Sequence, residues 1–308
     1  MAVPDFQSLM LPVLRATANG EIDSGALRDR VAGDFNLSGQ DLAEMLPSGR
    51  QTKFANRTAW ANIFLQRAGL IEKARRGVYR ITEAGRTVLA ENPPRIDMKF
   101  LERFPQYAEW RQSSRAASGE ESGEAPDEVG GTRSIATPEE QIDSSFRAMT
   151  DALESDVLDR VREIPAIAFE GLIVDLLIAM GYGGGKADMG KAVGRSGDGG
   201  IDGIIKEDPL GLDIVYIQAK RYAENSNVQR QEVQSFAGSL DGVGATKGIF
   251  VTTSAFSKGA REYAARISKR LILIDGGELA RLMVRHNVGV RLRAKYEIKK
   301  VDEDYFSE

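Results

Sequence analysis

Apolar residues recur three and four apart from the start of the chain: Phe6, Leu9, Met10, Val13 and Leu14 predict an amphipathic helix over residues 4–18. Ser24 is expected to cap a second helix reaching Phe35, and Ser38 a third reaching Met45. A longer helix follows over 51–69. Set at about 100° per residue, it gathers Phe54, Ala61, Leu65 and Ala68 on one side and Lys53, Asn56, Trp60 and Arg67 on the other. The pattern then changes. Residues 70–72 and 78–82 predict two strands around an Arg75-Arg76-Gly77 turn, and 83–91 a closing helix. Helices followed by a basic-tipped hairpin predict a mainly helical, winged helix-turn-helix domain over 1–111, with a further short helix at 97–111.

Residues 113–136 lose aromatic side chains and gain Ser, Gly and the acids Glu120, Glu121, Glu124, Asp127 and Glu128. Such a stretch buries too little apolar surface to order itself, so 112–137 is expected to be a flexible acidic linker. Pro138, Glu139 and Glu140 start a helix running toward Arg162. From Pro165 the stripe Phe169, Leu172, Ile173, Leu176, Leu177 and Met180 predicts a core helix. Gly181-Tyr182-Gly183-Gly184-Gly185-Lys186 invites a phosphate-loop reading and fails it, because Met180 takes the first glycine position and Ala187 replaces Ser or Thr. It is expected to be a helix stop. Beyond it come strands at 201–206 and 212–220, a helix at 228–240, a strand at 247–252, a helix at 257–268, a strand at 271–274 and a helix at 277–285. That alternation predicts an α/β domain over 138–308 with a mixed sheet flanked by helices.

At 308 residues the chain exceeds the usual single-core size, which makes two domains the default. With no Cys, disulfides, thiolate zinc sites and a Cys nucleophile are excluded, and a reducing cytoplasm is expected. His286 is the single histidine, so His-metal nucleases and Ser-His hydrolases are disfavoured. No apolar run is long enough to span a bilayer, and residues 1–20 lack the basic start of a signal peptide. Net charge is -4. Any nucleic-acid contact therefore rests on a local patch, and one is present. Between Arg50 and Arg80 stand Arg50, Lys53, Arg57, Arg67, Lys73, Arg75, Arg76 and Arg80 against Glu72 alone, eight charges minus one. On a recognition helix and its wing, Lys53, Asn56, Arg57, Arg67, Arg75 and Arg76 are the expected contacts to the backbone of double-stranded DNA. Trp60 is expected to fill the core rather than read a base.

Chemistry concentrates at Gly197-Asp198-Gly199-Gly200-Ile201-Asp202-Gly203 and Ile217-Gln218-Ala219-Lys220. Strand side chains repeat with period two, so Gln218 and Lys220 share a face. A turn centred near Leu210 places Asp202 opposite Gln218. The glycines mark Asp198 as turn structure. A carboxylate, an amide oxygen and an ammonium at one spot suit phosphodiester cleavage. Asp202 would hold a hard cation such as Mg²⁺, with Mn²⁺ as a substitute, and Gln218 would add a neutral oxygen. Lys220 would position water and offset charge on the transferring phosphoryl group.

These runs, with Phe169-Glu170 ahead of them and Gly248 to Ser254, Phe256 to Ala260, Leu273 to Gly276 and Val288-Gly289-Val290 after them, resemble the Mrr restriction endonucleases, a branch of the PD-(D/E)xK nuclease superfamily. The start of the chain resembles that family's amino-terminal domain. The resemblance implies that Glu170 belongs to the metal site and that the Ala219 carbonyl helps complete the shell. It also implies a modification-dependent (type IV) restriction enzyme that cuts methylated foreign DNA. Most of the superfamily has an acid where Gln218 stands; the Mrr-like branch carries Gln. Cutting both strands favours a homodimer or higher homo-oligomer. A junction-resolving or repair nuclease, and a non-enzymatic DNA-binding regulator, remain as alternatives.

Overall fold

The structure, a computed structural model, describes residues 2–117, 135–185, 190–192, 200–208, 212–302 and 305. It divides into two compact units, Met1–Arg147 with Lys300–Glu308, and Ala148–Lys299. Asp198 and the stretch 118–134 lie outside the described residues.

In the first unit α1 (Phe6–Ala16) starts at Asp5, whose carboxylate accepts the Gln7 and Ser8 amides. β1 (Ile22–Asp23) leads into α2 (Ser24–Asp34). The cap of α2 is Asp23, not Ser24 as the sequence suggests. Ser24 instead donates its hydroxyl to the Gly77 carbonyl at 3.0 Å, tying the helix start to the hairpin turn. α3 (Gly39–Ala43) has the expected Ser38 cap, answered by Asp41. α4 (Lys53–Arg67) follows a Thr52 cap. β2 (Ile71–Arg75) and β3 (Val78–Ile81) form the hairpin, and β1 joins them in an antiparallel sheet of order β1-β3-β2. β1 has two residues, too few to carry a period, and pattern reading passes over it.

α5 (Glu83–Ala90) closes the hairpin. The single helix expected over 97–111 is two, α6 (Met98–Leu101) and α7 (Pro105–Ala117). Pro105 lacks the N–H that a continuous helix requires and so opens a new one. Residues 113–117, expected in the linker, prolong α7. The core packs around Phe64 of α4, whose ring lies 5.2 Å from Phe6 and 5.9 Å from Trp110.

α8 (Pro138–Glu163) begins in the first unit and ends in the second, and α9 (Ala166–Ala179) follows Pro165. The expected helix stop is found at Gly181, at φ +103. The second unit is built on one five-stranded sheet, β4 (Gly190–Ala192), β5 (Gly203–Lys206), β6 (Ile214–Lys220), then α10 (Arg230–Gly242), β7 (Lys247–Thr252), α11 (Lys258–Arg266), β8 (Arg270–Ile274) and α12 (Gly276–Arg285). β4, β5 and β6 pair antiparallel; β6, β7 and β8 pair parallel. The mixed sheet is thus as the alternation predicts, with α10 and α11 as crossovers. Val215, Ile217 and Ala219 face a core with Phe169, Ile173 and Leu177 of α9 and Leu279 of α12. Phe250 and Tyr216 face the opposite core with Phe236 of α10 and Ala260 of α11. The second unit is therefore a helix-sheet-helix sandwich with its antiparallel edge on β4. No helix among the described residues is long and apolar enough to cross a membrane.

Candidate active site and nucleic-acid surface

The β5-β6 register sets Gly203 opposite Ile217, which puts Asp202 across from Gln218 as the sequence predicts. The Asp202 amide donates to the Ile217 carbonyl at 2.8 Å. Its carboxylate folds back on the partner strand, where Oδ2 accepts the Ala219 N–H at 2.8 Å. Ala219 thus meets the site through its N–H.

Gln218 is 6% exposed, and its Oε1 is buried without a hydrogen-bond donor among the described residues. An orphaned buried acceptor costs roughly 1–3 kcal/mol, which a bound cation would offset. The Gln218 amide nitrogen sits over Gly200, where a Cβ would come within 2.8 Å of Nε2. Gly200 also has φ +92, so only glycine fits comfortably. The sequence marks this glycine as part of a turn. Its second role, making room for Gln218, depends on packing across the strands.

Glu170, on α9, joins the group electrostatically. Burial pushes its carboxyl above the usual range, the Asp202 charge pushes it further, and the Lys220 ammonium opposes both. Lys220 lies opposite Thr252 of β7. Thr252 donates its hydroxyl to the Lys220 carbonyl at 2.8 Å. Thr253 accepts the Tyr222 N–H at 2.8 Å and donates to the Tyr222 carbonyl at 2.7 Å. Both threonines are fully buried and anchor the chain where it leaves Lys220. Sequence reasoning gave them no role, although a polar pair closing an apolar strand is the visible signal.

These donors fit a hard divalent cation: two carboxylates, a neutral amide oxygen held without a donor, and no nitrogen or sulfur ligand. Among the described residues no three acidic, His or Cys side chains gather to hold a metal ion. Asp202, Gln218 and Glu170 are the residues that could hold such an ion.

The predicted DNA contacts divide. Asn56 is 2% exposed and accepts the Thr137 hydroxyl at 2.6 Å, which withdraws it from the surface. Arg57 donates to the Glu140 carboxylate at 3.0 Å and to the carbonyls of Val3 and Pro4 at 2.5 and 3.0 Å, and its side chain is 11% exposed. The two corrections share a cause. The segment entering α8 lies along the face of α4 that the helical wheel left to solvent. There Glu139 also accepts the indole N–H of the half-buried Trp60. Lys53 pairs with Glu44 at 2.9 Å, and Arg67 is exposed with its guanidinium 5.6 Å from the Trp110 ring centroid. At the hairpin, Arg75 and Arg76 are exposed, and Arg75 reaches Glu21 only at 3.7 Å.

Two family models match this chain: the restriction endonuclease domain Mrr_cat over residues 161–283 and the Mrr N-terminal domain over residues 6–91. A curated relative, "Type IV methyl-directed restriction enzyme EcoKMrr" of Escherichia coli (strain K12), is 35% identical over 312 residues, covering 99% of this chain and 100% of the relative. Among solved structures, the "DNA modification-dependent restriction endonuclease AspBHI" matches with TM-score 0.37 and 18% identity over 72% of this chain and 57% of that one. The "MspJI Restriction Endonuclease in Complex with 27-mer Oligonucleotide" matches with TM-score 0.32 and 19% identity over 71% of this chain and 52% of that one.

Proposed function

The chain belongs to the Mrr restriction endonuclease family, and from that premise we propose that it hydrolyses phosphodiesters of methylated duplex DNA with a divalent cation, Mg²⁺ or Mn²⁺. The observation that carries the reading is the buried, donorless Oε1 of Gln218 on the strand position across from Asp202, whose charge, with that of Lys220, acts on Glu170. Bound there, a divalent cation supplies positive charge that polarises a phosphoryl oxygen and acidifies water. Asp202 is held in place by the Ala219 N–H, and its other oxygen would ligate the ion. Gln218 contributes oxygen without charge. A duplex phosphate entering the site therefore supplies negative charge that the protein's own donors leave out, which couples cation binding to substrate binding. Lys220 places its ammonium beside the phosphate, positions water and offsets charge on the transferring group. In the hydrolysis one P–O bond forms to the water oxygen and one breaks to a deoxyribose oxygen, which takes up a proton.

Methyl dependence is supported by the relative's description as methyl-directed. The test is digestion of plasmids carrying different methylation patterns with Mg²⁺ or Mn²⁺. Cutting that requires both the cation and a methyl pattern, and that disappears in Asp202→Ala, is expected. Cutting that survives Asp202→Ala removes the proposed site. A preference for branched over methylated linear duplexes would transfer the same chemistry to junction or repair substrates.

A further inference from the structure

We infer that residues 290–299, which follow α12 in the second unit, form a second contact surface for the DNA phosphate backbone, distinct from the hairpin of the first unit. The inference rests on the proposed reading that duplex DNA is the substrate. From Arg291 to Asp302 the chain has no helix, turn, bend or strand partner among the described residues, and every residue is exposed. Its side chains alternate. Arg291, Arg293, Lys295 and Lys299 occupy the odd positions, with Glu297 as the one acid, four charges minus one. Leu292, Tyr296 and Ile298 occupy the even positions at 77%, 89% and 65% exposure. Laid out in extended form along a partner, such a stretch would send the two sets to opposite sides and put the cations on one edge.

Charge decides the partner. Three excess positive charges within ten residues stand on a chain whose net charge is -4. Arg291 and Arg293 have no ion pair among the described residues, and Lys295 and Lys299 meet Glu297 only at 3.5 and 3.9 Å with side chains at least 75% exposed. Pairs of that kind hold little free energy and yield readily to a phosphate. In that extended form the edge from Arg291 to Lys299 would span about 26 Å at ~3.3 Å per residue, room for about eight phosphates of one strand at ~3.4 Å of axis each. The excess of cations is thus matched in sign to a duplex backbone. It belongs to the unit that holds Asp202 and Lys220.

The test measures binding, not cutting. The full chain, without divalent cation, is titrated onto an unmethylated fluorescent duplex by anisotropy from about 50 to 200 mM salt. The quadruple variant Arg291→Gln, Arg293→Gln, Lys295→Gln and Lys299→Gln should flatten the slope of log affinity against log salt by about 3 to 4, and Arg293→Gln alone by about 1. The control Leu292→Ser, Tyr296→Ser and Ile298→Ser should keep the wild-type slope. An unchanged slope in both glutamine variants overturns the inference. So does a slope that falls only in the serine control, with a change in oligomeric state, which would make the segment a pairing strand for a second copy. Absence of salt-dependent binding by the wild type would defeat the DNA reading as well. A flattened slope together with Asp202-independent cutting would leave this surface standing and defeat the proposed active site.

Discussion

At the scale of single residues, the proposed site has an amide where most of the superfamily that the sequence resembles has an acid. Gln218→Glu would put a third carboxylate beside Asp202 and Glu170, and the extra charge should raise cation affinity in the absence of DNA about tenfold or more. The fold should persist, since the two side chains have nearly the same shape. Titration calorimetry with Mn²⁺ checks this, and equal affinities in the two proteins would count against Gln218 as a ligand. The positions of Asp202, Gln218 and Lys220 were legible because strand geometry converts spacing directly into facing and register. Asn56 and Arg57 were misread for the complementary reason. A helical wheel gives the direction of a side chain, but not what packs against it from far along the chain, here Thr137 and Glu140. Glu170 required the family resemblance, because one Glu beside an apolar stripe looks like any solvated helix residue until burial and its neighbours' charges are known.

At the scale of elements, α4 gives a prediction that separates structure from recognition. Arg57→Ala should destabilise the protein by roughly 2–4 kcal/mol, since it leaves Glu140 and two carbonyls without their donor. Arg75→Gln with Arg76→Gln should weaken duplex binding at least tenfold with thermal stability unchanged. Calorimetric melting and anisotropy titration read the two effects, and the reverse pattern would return α4 to the role of DNA-facing helix. Helix ends are equally testable. Asp275 caps α12 and accepts from Arg261 at 2.7 Å. Burial pushes its carboxyl up, yet the hydrogen bonds from the Glu278 amide and from Arg261 outweigh that and hold it below the usual range. A depressed carboxylate stabilises the fold above its ordinary pKa and loses that contribution as pH falls through the folded value. Asp275→Ala should therefore cost about 1–2 kcal/mol in urea unfolding at pH 7, with the gap from wild type closing as pH falls below the ordinary carboxylate range. A gap constant from neutral to acid pH would contradict the assignment. The long periodic elements were readable in sequence within a residue or two. β1 and β4, at two and three residues, were not, because they take their identity from the strand beside them.

At the scale of the whole molecule, the described residues hold one candidate site per chain, while a duplex has two strands of opposite polarity. A single site faces one scissile bond at a time, so a double-strand break needs a second copy in a two-fold arrangement or a second visit after reorientation. The two routes differ in kinetics. If two copies act together, linear DNA should form directly from supercoiled plasmid, with an initial rate that rises with about the second power of enzyme concentration while the enzyme is mostly monomeric. If one copy works twice, nicked circles should build up first and the rate should stay first order. We expect the two-copy pattern, and mixing wild type with Asp202→Ala sharpens the test. Inactive subunits paired with active ones cut one strand only. Nicked circles should therefore appear in the mixture and not with wild type alone. First-order linearisation unaffected by the inactive variant would show that each chain completes both cuts by itself.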